Sequence, residues 1–125
     1  MLAAVTGPVA PGPPDGGVQK VVAQRVLALI GYTRWPVPPE THRLCIVGDP
    51  GHTGLLQAHG REGHLPRLAV SLHGDKAAPN ADCDVLYFGA MARAGREAIL
   101  GEWAGKPVLT MGEDDDCAGR LMFCL

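Results

Sequence analysis

The residues able to do chemistry are few: cysteines at 45, 83, 117 and 124, five histidines, and Ser71 as the single serine. An even cysteine count permits two disulfides in any of three connectivities. Four thiols packed as small hydrophobes is the other reading, and spacing alone leaves both open. There is no C-x-x-C and no Cys/His zinc pattern. His59 and His64 lie five apart and neither adjoins a cysteine, so no metal site is assigned. Ser71 falls in an alternating stretch rather than on a sharp elbow, and no histidine adjoins a thiol in sequence. The chain therefore reads as a non-enzyme without catalytic residues or cofactor.

Three other groups have a pattern. Gly48, Gly51 and Gly54 form G-x-x-G-x-x-G between an apolar run and a possible helix. Such a turn can aim backbone amides at a phosphate, but the spacing is not the dinucleotide fingerprint and no acidic ribose partner follows. A cytosolic ligand- or nucleotide-binding domain using the Gly48–Gly54 turn is the alternative function that this motif suggests. Glu113–Asp116 is an acidic run without the alternation of a calcium loop, and is expected to be a solvated loop. Tyr32, Arg34 and Trp35, in the segment YTRWP, are the residue types that dominate interface hot spots. They are the candidate partner-binding residues, although a core position beneath a helix end is the expectation for Trp35.

The elements that must carry these residues follow from periodicity. Residues 1–17 include GPVAPGPPDGG and read as a disordered Pro/Gly-rich leader or the remnant of a signal peptide. Val18, Val21, Val22, Val26, Leu29 and Ile30 recur every three or four residues, the period of one helix face, and Pro36 ends the helix. After a loop over Val37–Arg43, the apolar run Leu44–Asp49 reads as a buried strand. A short helix within Gly51–Gly60, an alternating strand Arg67–His73 and a strand Asp84–Gly89 come next. A helix Ala90–Ala104, with Met91, Ala98, Ile99 and Trp103 inward, precedes a last strand, Val108–Met111. At 125 residues this is one domain, 18–125. The net charge is −2 and Lys and Arg are scattered, which argues against a nucleic-acid partner. No apolar run approaches the roughly 20 residues of a membrane span.

The order strand, helix, strand, strand, helix, strand predicts a small three-layer α/β sandwich with a mainly parallel sheet flanked by helices. Right-handed crossovers place the first and third strands side by side, flanked by the second and fourth. Cys45 and Cys83 then lie on neighbouring strands about 4.8 Å apart, within the roughly 4.4–6.8 Å Cα range that a disulfide tolerates. Cys117 and Cys124, seven apart, are able to close a local turn. The chain stops at Leu125 inside the apolar run LMFCL, which reads as a fragment.

Taken in order, YTRWP, LCIVGD, CDVLYFG, GKPVLTMGE and GRLMFCL resemble the YfiR family over about Val18 to Leu125. These are periplasmic proteins that repress a membrane-bound diguanylate cyclase through its periplasmic domain. The resemblance implies a disulfide-stapled α/β domain, a homodimer, periplasmic localisation, and Cys45–Cys83 and Cys117–Cys124 as the bridges. It also implies that repression lowers cyclic di-GMP and biofilm formation and is sensitive to reduction of the disulfides. It implies no direct membrane insertion and no nucleic-acid partner. Members of that family begin with a secretory signal peptide and continue past the FCL segment with a further strand and a helical stretch. Against that pattern the chain reads as a repressor lacking its C-terminal part.

Overall fold

The computed structural model describes residues 15–77, 80–113 and 123–124. Most of the expected leader, Asp114–Asp116 and the expected Cys117–Cys124 bridge lie outside the described residues. The elements are α1 (Asp15–Tyr32), β1 (Thr41–Val47), α2 (Gly54–Glu62), β2 (Arg67–Leu72), β3 (Val85–Phe88), α3 (Arg93–Glu102), β4 (Leu109–Gly112) and β5 (Phe123–Cys124). The five strands form one sheet in the order β2-β1-β3-β4-β5, and every neighbouring pair is parallel. The predicted α/β sandwich and its strand order are thus present, with a fifth strand added beyond β4.

Alternation along the strands builds two cores. Leu44, Ile46, Val85, Tyr87, Leu109 and Met111 face α1 and α2, where Val22, Val26, Ile30 and Leu56 cover them. Cys45, Val47, Leu86 and Phe88 face the other way, toward Ile99, Leu100 and Trp103 around α3. Leu44–Val47 and Val85–Phe88 are buried on both faces, which is why these two continuous apolar runs occupy the middle of the sheet. The chain moves from β1 to β2 through α2 on one face. It moves the opposite way, from β2 to β3 and from β3 to β4, on the other face. Right-handed crossovers require that exchange of face with direction. The β2–β3 crossover contains no helix. It lies on the α3 face, where Ala77 is buried and accepts a 2.9 Å bond from Trp103 Nε1.

Several boundaries differ from expectation for identifiable reasons. The helix α1 begins at Asp15 instead of 18. Val18 and Val21 are each 42 % exposed, so the buried stripe is narrower than the apolar pattern. The first strand starts at Thr41, inside the expected loop, because Thr41–Arg43 pair with Arg67–Ala69. It ends at Val47, because Gly48 takes φ +82°. Ala90 pairs with Asp49 rather than opening α3, and α3 buries Arg96, Ile99 and Leu100 while Ala98 is exposed.

Cys45 and Cys83 are joined by a disulfide with Cα atoms 5.8 Å apart, spanning 38 positions. It ties the end of the helix-free crossover to the central strand. In the chain-entropy account, closing a loop of this length is worth about 4 kcal/mol. Replacing both cysteines by alanine should lower the unfolding free energy from urea titration by about 4 kcal/mol. A loss under about 1 kcal/mol would show that packing alone holds the crossover in place.

Candidate functional site

Three places in the fold gather polar or aromatic groups. The first surrounds the disulfide. The parallel register sets Ser71 of β2 against Cys45 of β1, and His73 lies just past the end of β2, its amide donating to Ile46 O at 2.9 Å. Ser71 Oγ lies 2.8 Å from His73 Nε2 and 3.6 Å from Cys45 Sγ. Cys45 is 1 % exposed and Cys83 8 %. A serine, a histidine and a cysteine that sequence reading kept apart are therefore adjacent. His73 is 28 positions from Cys45, and only strand pairing brings them together. His59 and His64, the histidines weighed in the sequence, instead contact each other and bond to Pro66 O and Glu62 respectively.

The second place is the edge of the sheet where the strands begin. Trp35 is half-buried against the α1 core, and its Nε1 donates to Ile30 O at 3.2 Å. Its ring lies 4.9 Å from that of His42. The expected core role holds, yet the same indole also forms a wall of a groove with Arg34, Pro36, Lys106 and Pro107. Tyr32 is 85 % exposed at the end of α1 and does not line this groove. The groove holds about 210 Å³, below the roughly 300–1,000 Å³ of small-molecule pockets. Its size suits one side chain from a partner. Nearby, Arg43 holds Asp84 through bonds of 3.0 and 3.1 Å, and the Arg43 amide adds a third at 2.8 Å. Burial pushes the Asp84 carboxyl up, but these bonds outweigh it and hold its pKa below the ordinary value. His42 goes the other way: burial lowers its pKa against the pull of Asp84.

The third place is the carboxyl end of β1 and β3, where the strand order reverses and α/β sheets usually bind ligands. Here backbone pairing joins the two strand ends, and a hollow of about 430 Å³ lined by Gly48, Asp49, Asp75 and Ala90 lies beside them. Asp49 and Ala90 pair, and the Gly89 amide donates to Val47 O at 2.8 Å. A Cβ at Gly89 would collide with Asp49 O, so glycine is what lets the two strand ends meet. Asp49 Oδ1 accepts the Gly51 amide at 2.9 Å. The turn thus supplies its own anion where a phosphate would sit. Gln19 of α1 presents Oε1 beside Gly54, at the start of α2.

Glu113 is also placed differently from a solvated acidic run. Its carboxylate accepts from the Tyr87 hydroxyl and lies 3.1 Å from His52 Nδ1, with only 13 % of the side chain exposed. Burial and the carboxylate together push the Tyr87 pKa upward. No sequence signal links Glu113 to His52, 61 positions away.

The His42 environment gives a testable pH dependence. The folded pKa lies below the free value of 6.5, so the unfolded chain binds the proton more readily. The contribution is intact above pH 6.5 and is lost as pH falls from there through the folded pKa. His42→Phe retains a ring beside Trp35, and should reduce the loss of urea stability on acidification below about pH 6.5. An unchanged pH profile would assign that loss to other groups. Among known families, residues 19–125 match the model of the YfiR/HmsC-like family. That match spans most of α1, all five strands and the Cys45–Cys83 bridge, and the chain belongs to the YfiR/HmsC-like family.

Proposed function

We propose that this chain is a non-catalytic periplasmic regulator that binds the periplasmic domain of an inner-membrane diguanylate cyclase and holds the enzyme inactive. Repression lowers cyclic di-GMP and biofilm formation. The observation that carries the reading is the family match over residues 19–125. A buried disulfide between the crossover and the central strand is what an oxidising compartment permits. Among the described residues, no helix is long and apolar enough to cross a membrane.

The partner-binding surface in this reading is the strand-start edge. Arg34 and Lys106 flank an apolar groove walled by Trp35 and two prolines, so the complementary element is an apolar side chain with acidic neighbours. Tyr32 adds an exposed ring at the end of α1. Cys117–Cys124 is the second bridge in the proposal, and its opening relieves repression. The regulator is a homodimer.

Co-purification of the exported chain with the periplasmic domain of a neighbouring diguanylate cyclase tests the proposal, with alkylation mapping of the cysteines in the same sample. Binding is expected from the chain with its disulfides formed. Absence of binding by chain whose fold is verified by circular dichroism would sink the regulator reading. Tyr32→Ala and Arg34→Glu leave the core untouched and should each weaken binding by roughly tenfold or more. Full retention of affinity in both would move the interface elsewhere.

A further inference from the structure

On the α3 face of the sheet, Cys45, His73 and Cys83 each bring one donor atom to within 4.8 Å of the others. They come from three separate pieces of chain: the middle of β1, the residue after β2, and the end of the β2–β3 crossover. Ala77, Leu86 and Phe88 belong to the same core cluster as the two cysteines. A disulfide in such a place needs no imidazole. Yet His73 is half-buried beside it, and Ser71 Oγ holds its Nε2 at 2.8 Å. Two sulfurs and an imidazole oriented by a hydroxyl are the donor set of a zinc site with one open position.

We propose that the reduced form of this cluster binds Zn²⁺ through the Cys45 and Cys83 thiolates and the His73 imidazole. The reductant is a dithiol. It attacks the Cys45–Cys83 bond, passes two electrons to the pair through a mixed disulfide and leaves as its own disulfide, so that two thiols remain. Zn²⁺ then displaces both thiol protons to solvent and accepts a lone pair from neutral His73. Ser71 accepts a hydrogen bond from Nε2–H, which leaves Nδ1 as the ligating nitrogen, and water completes the tetrahedron. Zn–S bonds of about 2.3 Å set the two sulfurs roughly 3.8 Å apart, a separation that reduction makes available. The crossover then exchanges a covalent tie to β1 for a coordinate one. The site does not depend on the regulatory reading, and its test needs no cyclase.

The test uses the full chain carrying Cys117→Ser and Cys124→Ser, so that only the Cys45 and Cys83 thiols are present. After reduction with dithiothreitol and anaerobic desalting, the chain is titrated with Co²⁺. The proposal expects one equivalent to produce the visible d–d bands and thiolate charge-transfer absorption of tetrahedral coordination, and Zn²⁺ to bleach them. The oxidised chain should show neither. Ser71→Ala should weaken binding by about 10–100-fold, and His73→Asn should weaken it further while the near-ultraviolet circular dichroism of the oxidised variant stays as in the parent. Absence of the bands in reduced chain overturns the proposal, as does equal affinity in His73→Asn. A reduced chain that is unfolded, and that Co²⁺ does not return to the native tryptophan fluorescence, overturns it as well.

Discussion

The fold depends on holding a crossover that has no helix. In a parallel sheet, each return to the starting edge normally runs through a helix that buries its own face and so anchors itself. Here α2 and α3 serve that purpose for the β1–β2 and β3–β4 connections. The β2–β3 connection must cross over β1 with about a dozen residues of mostly polar chain. Its anchors are local: the Gly48 amide to Gly74 O, the Ala77 carbonyl under Trp103, the Cys83 sulfur bonded to Cys45, and Asp84 gripped by Arg43. Each ties one point of the crossover to β1, to the chain just past it, or to the end of α3. Only the disulfide does so covalently and from within the core. Its burial slows thiol exchange, which needs access to sulfur, so its reduction calls for a strong dithiol in excess.

The same anchors explain why β1 and β3 meet at the carboxyl end of the sheet. Once Cys83 and Asp84 are fixed, β3 runs beside β1 in a register that brings Gly89 against Asp49. With no side chain at Gly89, the two backbones pair where most open α/β sheets receive a ligand, and the remaining hollow lies to one side, against Gly74 and Asp75. The Asp49 carboxylate then folds back on the Gly51 amide. A glycine-rich turn after a strand is thus explained here by backbone packing. The opposite edge, where the strands begin, keeps an open groove between Trp35 and the Lys106–Pro107 segment.

Much of this was legible because two strands are continuous apolar runs. Leu44–Val47 and Val85–Phe88 declare themselves central, and the handedness rule then orders the remaining strands and brings Cys45 near Cys83. What escaped depends on partners distant in sequence. Thr41–Arg43 read as loop, since nothing local shows that Arg67–Ala69 will pair with them. Arg96 was not assigned inward, because no hydrophobic pattern marks a buried guanidinium. Val18 and Val21 share the helical period of Val22 and Val26, yet only the latter pair meets the sheet. Ser71 and His73 carry no local signal, because catalytic and metal-binding motifs are recognised by short spacing, whereas sheet register can place side chains together across any interval.

In the proposed reading, Trp35 serves both stability and recognition. Its indole N–H is satisfied by Ile30 O and its ring is seated on His42, so it is held rigidly before any partner arrives. A rigid aromatic wall loses little conformational entropy on binding, which is why such residues dominate interface energetics. The cations beside it, Arg34 and Lys106, are solvent-exposed and contribute mainly orientation and encounter rate. Because the His42 ring supports the indole, protonating His42 places a charge against the wall of the groove. Acidification therefore acts on the stability of the strand start and on the wall of the groove through this imidazole.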